Sequence, residues 1–444
     1  MRLFFGWCAA TFVVATTSAQ PGYAQPVSAP PRALQTGTAA SSKSQPGTLQ
    51  LSRRDAIAEA LQHNAALDIA SEQTAGARAR RVTATSIPDP SATAAVDGIT
   101  NPLRFGGAPS KPVGVELGIP FPDKFRLNAR IGTADIRASE HNYRLQQQSI
   151  ALLASAAYDS LLLARLHRSI LLESRDLTAD FLKRTEIRFT AGTAAKLDQI
   201  QAQVTVAQAD NDLIANERDI ANAQASLNRI LGRTVSAVIT PTDSFGIPAP
   251  LPDSSSFERM ALANRPELAI VQEQRLGAKA ATGLAKEFWL PDVTFAVGHD
   301  YATPGAALFT TGLAFPLPVF YWQHAKGDIA QARHYELELA ATERDTRAQV
   351  IQDVRIAYAN ASTSIRQAIF IRDQLVPAAR EAYRIASTSY ALGGSSALEV
   401  LNARSALLTA QGQLADALAD ANTARADFER ALGSPVSSTG ATNR

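Results

Sequence analysis

The sequence predicts a mainly α fold with a small β part, built as two copies of a long coiled-coil helical hairpin. Three observations predict it. One stretch occurs twice, at 189–202 and at 390–403. After each copy an apolar residue recurs every seven positions. Ahead of each copy, short segments alternate apolar with small or polar residues, the period of a strand.

The repeated stretch is a helix–turn–helix tip. Phe189, Gly192, Leu197, Asp198 and Ala202 of the first copy match Tyr390, Gly393, Leu398, Glu399 and Ala403 of the second, each 201 residues on. An aromatic closes a long helical pattern and a glycine follows three residues later, where a helix ends in the left-handed conformation at no steric cost. Beyond the second tip the sevenfold series is Val400, Leu407, Leu414, Ala421 and Phe428, with Ala403, Ala410, Ala417, Ala424 and Ala431 three positions on. Beyond the first tip it is Val206, Leu213, Ile220 and Leu227, with Ala202, Ala209 and Ala223. A sustained seven-residue repeat specifies a left-handed supercoil, and alanine knobs let helices approach closely.

The chain has 444 residues, enough for two or three domains by length alone. Its 43 basic and 41 acidic residues leave a net charge of +2, no bulk signal for nucleic acid or an anionic membrane. Residues 1–24 read as a secretory signal: Arg2 supplies the charge, Leu3 to Ala15 the apolar run, and Thr17-Ser18-Ala19 or Gly22-Tyr23-Ala24 the cleavage site. Cys8, the one cysteine, falls inside it, so disulfide chemistry is not expected of the mature chain. Residues 25–50, rich in Pro, Ser, Thr and Ala, read as a flexible leader. No later apolar run reaches the ~20 residues of a membrane-spanning helix. A membrane role would come from strands.

The first repeat, 51–232, opens with one helix over 52–86, and the second, 257–433, with its counterpart over 257–286; Ala60-Leu61 and Leu67 match Ala261-Leu262 and Leu268. Each stops at a Pro-Asp pair, Pro88-Asp89 or Pro291-Asp292. Four strands are expected: Ser91 to Gly98, Val113 to Ile119, Val293 to Gly298, and Phe309 to Phe315. Their alternation suits a membrane barrel with an apolar outer face and a small or polar inner one, and equally a soluble sandwich. Trp289 lies before the third strand and Phe320-Tyr321-Trp322 after the fourth, at one end of that hairpin. Aromatics gathered at one level suit a membrane–water interface, or anchors where helix meets sheet. Pro120-Phe121-Pro122 and Pro316-Leu317-Pro318 end the sheet and begin helices over about 127–189 and 323–390. Pro377 is expected to kink or break the second; its counterpart, Asp176, leaves the first intact. Residues 233–256 read as a linker and 434–444 as a polar tail.

Motifs of catalysis are missing: no phosphate loop, no nucleophile elbow and no paired metal ligands, with the six histidines scattered. An enzyme, a resident cofactor and a bound metal are not expected.

The duplicated tips, the repeated Ala-Leu helix before each Pro-Asp, the strand pairs and the proline handovers together resemble the outer membrane efflux protein family, the TolC-like channels, over about 51–433. Phe315-Pro316-Leu317-Pro318-Val319-Phe320 looks most like the metal-efflux branch. The resemblance implies a homotrimer in the outer membrane of a Gram-negative-type bacterium, extending into the periplasm. Four strands from each of three chains would form a shared 12-stranded β-barrel in outer-membrane lipid, and the helices an α-barrel. It also implies a passive conduit in a tripartite system, with a periplasmic adaptor (membrane fusion) protein and an inner-membrane efflux pump of RND type. At the entrance, Glu399 and, in the first repeat, Asp198 match the family's gate acids. Asn402 stands where some relatives carry a second acid and Ser395 where some carry a basic latch. The tips at Phe189, Gly192, Tyr390 and Gly393 would receive the adaptor. Physical chemistry offers Glu399 and Asp198 a plainer role, capping their helices. The competing class is a non-conducting periplasmic coiled-coil scaffold or adaptor, which would not sediment with outer membranes.

Overall fold

The computed structural model describes residues 49–95, 110–252, 256–301, 307–317, 319–320 and 323–434. The signal, most of the leader, the far end of the first expected strand, Tyr321, Trp322 and the tail from 435 lie outside the described residues.

In chain order the elements are β1 (Leu49–Leu51), α1 (Arg53–His63), α2 (Ala65–Ala84), β2 (Ser91–Ala94), β3 (Pro112–Ile119), α3 (Pro122–Thr190), α4 (Lys196–Ile230) and β4 (Ile239–Pro241). The second repeat gives α5 (Phe257–Asn264), α6 (Pro266–Lys286), β5 (Val293–Tyr301), β6 (Ala307–Ala314), α7 (Ala325–Phe370), α8 (Val376–Ala391) and α9 (Ala397–Ala431). With 69 residues, α3 spans roughly 100 Å at ~1.5 Å per residue. It packs on α4, on α2 and α6, and on α9, which in turn carries α7 and α8.

Each opening helix is two helices, which corrects the single helix expected. Asn64 divides α1 from α2: its side chain accepts from the Ala66 N–H at 3.0 Å and donates to the Ile230 carbonyl at 2.9 Å. Arg265-Pro266 divides α5 from α6, with proline in the first turn where its missing N–H costs nothing. Pro377 does interrupt its helix. Five residues, Ile371–Leu375, widen into a π-turn and helix resumes at Val376. One extra residue in the turn accommodates the ring that would otherwise strike the carbonyl four residues back.

Four strands form one antiparallel sheet, ordered β2-β3-β5-β6, so the two repeats meet at β3 and β5. The register aligns the alternation across all four. Val113, Val115 and Leu117 face His299, Val297 and Phe295, which face Phe309, Thr311 and Leu313. One face is therefore almost wholly apolar. The other carries Ser91, Thr93, Gly114, Glu116, Thr294, Gly298, Asp300, Thr310 and Gly312. Asp292 clamps the handover beneath β3: its carboxylate accepts from Lys124 Nζ at 2.7 Å and from the Phe121 N–H at 3.3 Å.

Two further strands escaped the sequence reading. β1 and β4 form a parallel pair, β1 at the junction of the expected leader with the first repeat and β4 inside the expected linker. They cover the core around Tyr158, Leu161, Leu227 and Ile239. A second core, Phe257, Val350, Val354 and Phe428, closes the other repeat, with the Phe257 and Phe428 rings edge-on at 5.0 Å. One window within α3 is apolar enough to cross a membrane, contrary to expectation, and 56% of it is buried inside the protein.

Of the two expected series of α9, Val400, Leu407, Ala410, Ala417, Ala421, Phe428 and Ala431 are buried, while Ala403, Leu414 and Ala424 are half-buried. In α4 one place in the second series holds Asn216, buried and donating to the Ala164 carbonyl at 3.1 Å. A polar residue in such a seam fixes register at some cost in stability.

Candidate functional site

The two tips lie together at one end of the helical bundle. Gly192 and Gly393 have φ of +73° and +83°. In the first tip the N–H of Gly192 donates to the Phe189 carbonyl (2.9 Å) and that of Thr193 to the Arg188 carbonyl (2.8 Å). In the second, Gly393 donates to Tyr390 (3.0 Å) and Gly394 to Ser389 (2.8 Å). Both are Schellman closures, which satisfy the last helical carbonyls and demand the left-handed residue.

The matched residues do different things. Tyr390 is 3% exposed. Its ring packs on Phe181 at 5.2 Å and its hydroxyl meets Thr185 Oγ1 at 3.4 Å. Phe189 stays at the surface under Lys196 Nζ, 5.1 Å from its ring centre. With the Tyr390 side chain inside, the surface of the second tip is Leu392, 84% exposed, and Leu398. In the first tip Leu197 is exposed. These leucines were missed because a leucine within a helical pattern reads as core; only its place one step from the glycine distinguishes Leu392.

The entrance acids cap helices. Ser396 Oγ accepts from the Glu399 N–H at 3.3 Å, and the Glu399 carboxylate accepts from the Ser396 N–H at 3.0 Å, a full capping box. Asp198 accepts from the Ala195 N–H at 3.3 Å, but alanine has no side-chain oxygen to cap the Asp198 N–H, which donates to the Ala195 carbonyl at 3.1 Å, so that box is half made. Asn402 is exposed one turn beyond Glu399. Ser395 donates to the Ala386 carbonyl at 3.0 Å, inside its own tip.

A polar seam between α3 and α9 joins the hairpins above the tips. Arg404 donates to Ser174 Oγ at 2.7 Å, Gln411 to Glu173 at 3.0 Å, and His167 Nε2 lies 2.9 Å from Asp416. Burial lowers the pKa of Arg404. Among the described residues no group of three or more His, Cys, Asp or Glu could hold a metal ion.

At the sheet, Trp289 and Phe320 are 60% and 57% exposed at the strand–helix end, next to Phe121. A second aromatic group, unnoticed in the sequence, lies at the other end of the apolar face: Tyr301 and Phe309 flank His299 at 4.5 and 4.8 Å between ring centres.

Long, packed helical hairpins joined to a strand set with one apolar face are the build of an outer-membrane channel protein. The chain belongs to the outer membrane efflux protein family, whose pattern matches residues 56–233 and 259–434. It is similar to the cobalt-zinc-cadmium resistance protein CzcC of Cupriavidus metallidurans, at 22% identity over 68% of this chain and 73% of that one. It is also similar to the pyoverdine export outer membrane protein OpmQ of Pseudomonas putida, at 27% identity over 61% of this chain and 60% of that one. Its fold is like that of the outer-membrane channel OprN, with a TM-score of 0.74 and 18% identity over 86% and 89% of the two chains.

Proposed function

We propose that this efflux protein is the passive outer-membrane conduit of a tripartite exporter, working as a homotrimer with a periplasmic adaptor and an inner-membrane pump of RND type. The observation that carries the reading is the open sheet. It has four strands, an exposed apolar face and, among the described residues, no partner on the outer edges of β2 and β6. Four strands cannot close a barrel, for which about eight are the smallest useful number. Three copies remove every edge and put the apolar face into lipid.

The helices support the same assembly. In the order α4–α3–α9–α8, the outermost helices carry uncovered apolar seams. On α4 these are Leu197, Ile200, Val204 and Ile214; on α8 and its approach, Leu375, Ile385 and Leu392. Successive members are 3, 4 and 10 residues apart on α4 and 10 and 7 on the other strip, all sums of the three, four and seven that interlocking knobs require. α4 runs away from the tips and α8 towards them, so α4 of one protomer suits α8 of the next. Trp289 and Phe320 mark the periplasmic membrane interface; Tyr301 and Phe309 mark the outer one. Phe189, Gly192, Gly393 and the backbone of Tyr390, with Leu392, form the adaptor-facing tips. Glu399, Asn402 and Asp198 ring the mouth.

The test is direct. A trimer by detergent-corrected mass, with stepwise conductance in planar bilayers, is the expected result. A folded monomer that leaves the outer-membrane fraction in high salt would establish the periplasmic scaffold instead.

A further inference from the structure

The near-neutral total charge hides a local excess. Arg126, Arg130 and Arg137 of α3, with Lys279 of α6, line a groove of about 760 Å³ between these helices. Glu273 is the one carboxylate among its lining residues, 3.8 Å from Arg137. Arg126 is already held by both oxygens of Asp123. Arg130 and Lys279 are exposed and have no hydrogen-bond or ion-pair partner among the described residues. Neither cation is in a direct pair, although Arg130 is near enough to Asp123 to help hold that carboxyl down.

The floor is apolar. Leu127 and Ala134 are buried there beside Ala280 and Gly283, and Leu276 is 54% exposed on the lip. The cationic rim, with the apolar floor continuing to Leu127 and Gly283 on the sheet side, suits an anionic amphiphile whose chains run towards the sheet.

Position supplies the source. α3 leaves the sheet at Pro122, so Arg126 and Arg130 lie about 6 and 12 Å down the helix at ~1.5 Å per residue. Trp289 lies between α6 and β5, three residues before Asp292, which binds Phe121 and Lys124 at the start of α3. The polar layer of a bilayer adds roughly 5–8 Å beyond the hydrocarbon on each side. Arg130 and Arg137 continue in sevens to Tyr158 and Arg165, which donate to the Leu51 and Ile239 carbonyls of the β1–β4 pair. The groove therefore opens on the side of α3 that carries this pair. In an open conduit three such layers lie outside the lumen, a step that rests on the channel reading above.

We propose that the α3–α6 groove binds an anionic phospholipid of the periplasmic leaflet, with Arg130 and Lys279 on its phosphate and its glycerol ester towards Leu127 and Gly283, the end of the floor nearer the sheet. A choline or ethanolamine lipid carries its own cation and gains less from this rim.

The test uses the purified full chain in mild detergent, titrated by native mass spectrometry with dioleoyl phosphatidylglycerol, the matching phosphatidylcholine, or inorganic phosphate. The parent is expected to retain phosphatidylglycerol well above phosphatidylcholine. R130Q with K279Q should weaken that retention roughly thirty-fold, because each cation near a membrane surface contributes about 1 kcal/mol. Both side chains are exposed and unpaired, so helicity should be unchanged. K183Q with R380Q removes the same charge far along the bundle and should bind as the parent does. Equal loss in the two double variants, equal retention of both lipids, or displacement of the lipid by excess inorganic phosphate would each overturn the proposal. Mass spectrometry needs no conductance: selective loss in the groove variant of a chain that never conducts would sink the channel reading and leave the groove standing.

Discussion

Arg188 of α3 lies over the ring of Tyr390, its guanidinium carbon 4.4 Å from the ring centre, and donates to the Tyr390 backbone carbonyl. A second nitrogen donates to the Thr193 carbonyl at 3.2 Å. One side chain from the first repeat thus pins the closing residue of the second tip while holding its own. Removing it is expected to loosen both turns while sparing the long helices. Arg188→Ala should speed amide exchange at 191–195 and 392–396 by roughly fivefold, for a stacked cation contributes about 0.5–1 kcal/mol at an exposed site. Arg188→Lys should recover part of this. Unchanged exchange at both tips would mean the contact is incidental.

The uncovered seams predict where assembly breaks. Val204 and Ile385 are 64% and 54% exposed in the protomer, so glutamate at both should cost the protomer little. In the trimer the same change puts charge between α4 and α8 of neighbouring copies. Sedimentation should show monomer with native helicity. The alanines of α9 behave differently: Ala410 and Ala417 are buried within the protomer. Leucine at both should lower the protomer's own stability by about 1–3 kcal/mol per site through overpacking. A trimer untouched by V204E with I385E would refute this packing.

Long-period features were legible in the sequence because they are redundant. Five sevenfold repeats, a 201-residue duplication and four alternating strands each state the fold several times, so no single exception hides it. What stayed hidden was short or depended on tertiary packing. β1 and β4 are three residues each, too few for any period to register. Pro377 announced an interruption, but its form as a π-turn depends on how neighbours hold the helix. The match of Phe189 with Tyr390 was read as equivalence. The structure separates them, because only Tyr390 faces Phe181 and Thr185 across the two repeats. Asp198 and Glu399 were visible as first-turn acids, and their capping geometry follows from position alone.

A buried pair beneath the β1–β4 layer predicts a dependence on pH. Asp159 accepts from Arg53, and both are almost fully buried. Burial pushes the Asp159 carboxyl up to about 6, more than the Arg53 charge pulls it down. The folded chain therefore binds a proton between about pH 4 and pH 6 that the unfolded chain releases. This group's contribution to stability is fully present below that window and is lost as pH rises through about 6. Asp159→Asn keeps an acceptor for Arg53 and removes the titration. The parent-minus-variant stability should favour the parent on acidification from about pH 7 to about pH 4, by on the order of 2 kcal/mol. A pH-independent difference in denaturant melts would show that Asp159 stays ionised throughout.

The entrance acids give the sharpest division between a structural and a functional role. In the trimer, rings of Glu399 and Asp198 at the mouth would attract cations and repel one another. Glu399→Gln with Asp198→Asn should therefore lower cation selectivity in single-channel recordings and weaken block by multivalent cations added from the periplasmic side. Stability should change little, and unequally. Both substituted amides can still accept from the N–H they face, Ser396 or Ala195, and only the second tip adds the bond from the residue-399 N–H to Ser396 Oγ. First-turn acids contribute about 0.3–1 kcal/mol at an exposed helix start. A double variant that conducts and selects like the parent, yet melts earlier, would make the acids caps and nothing more. Selectivity lost with the melting temperature unchanged would make them the charge of the gate.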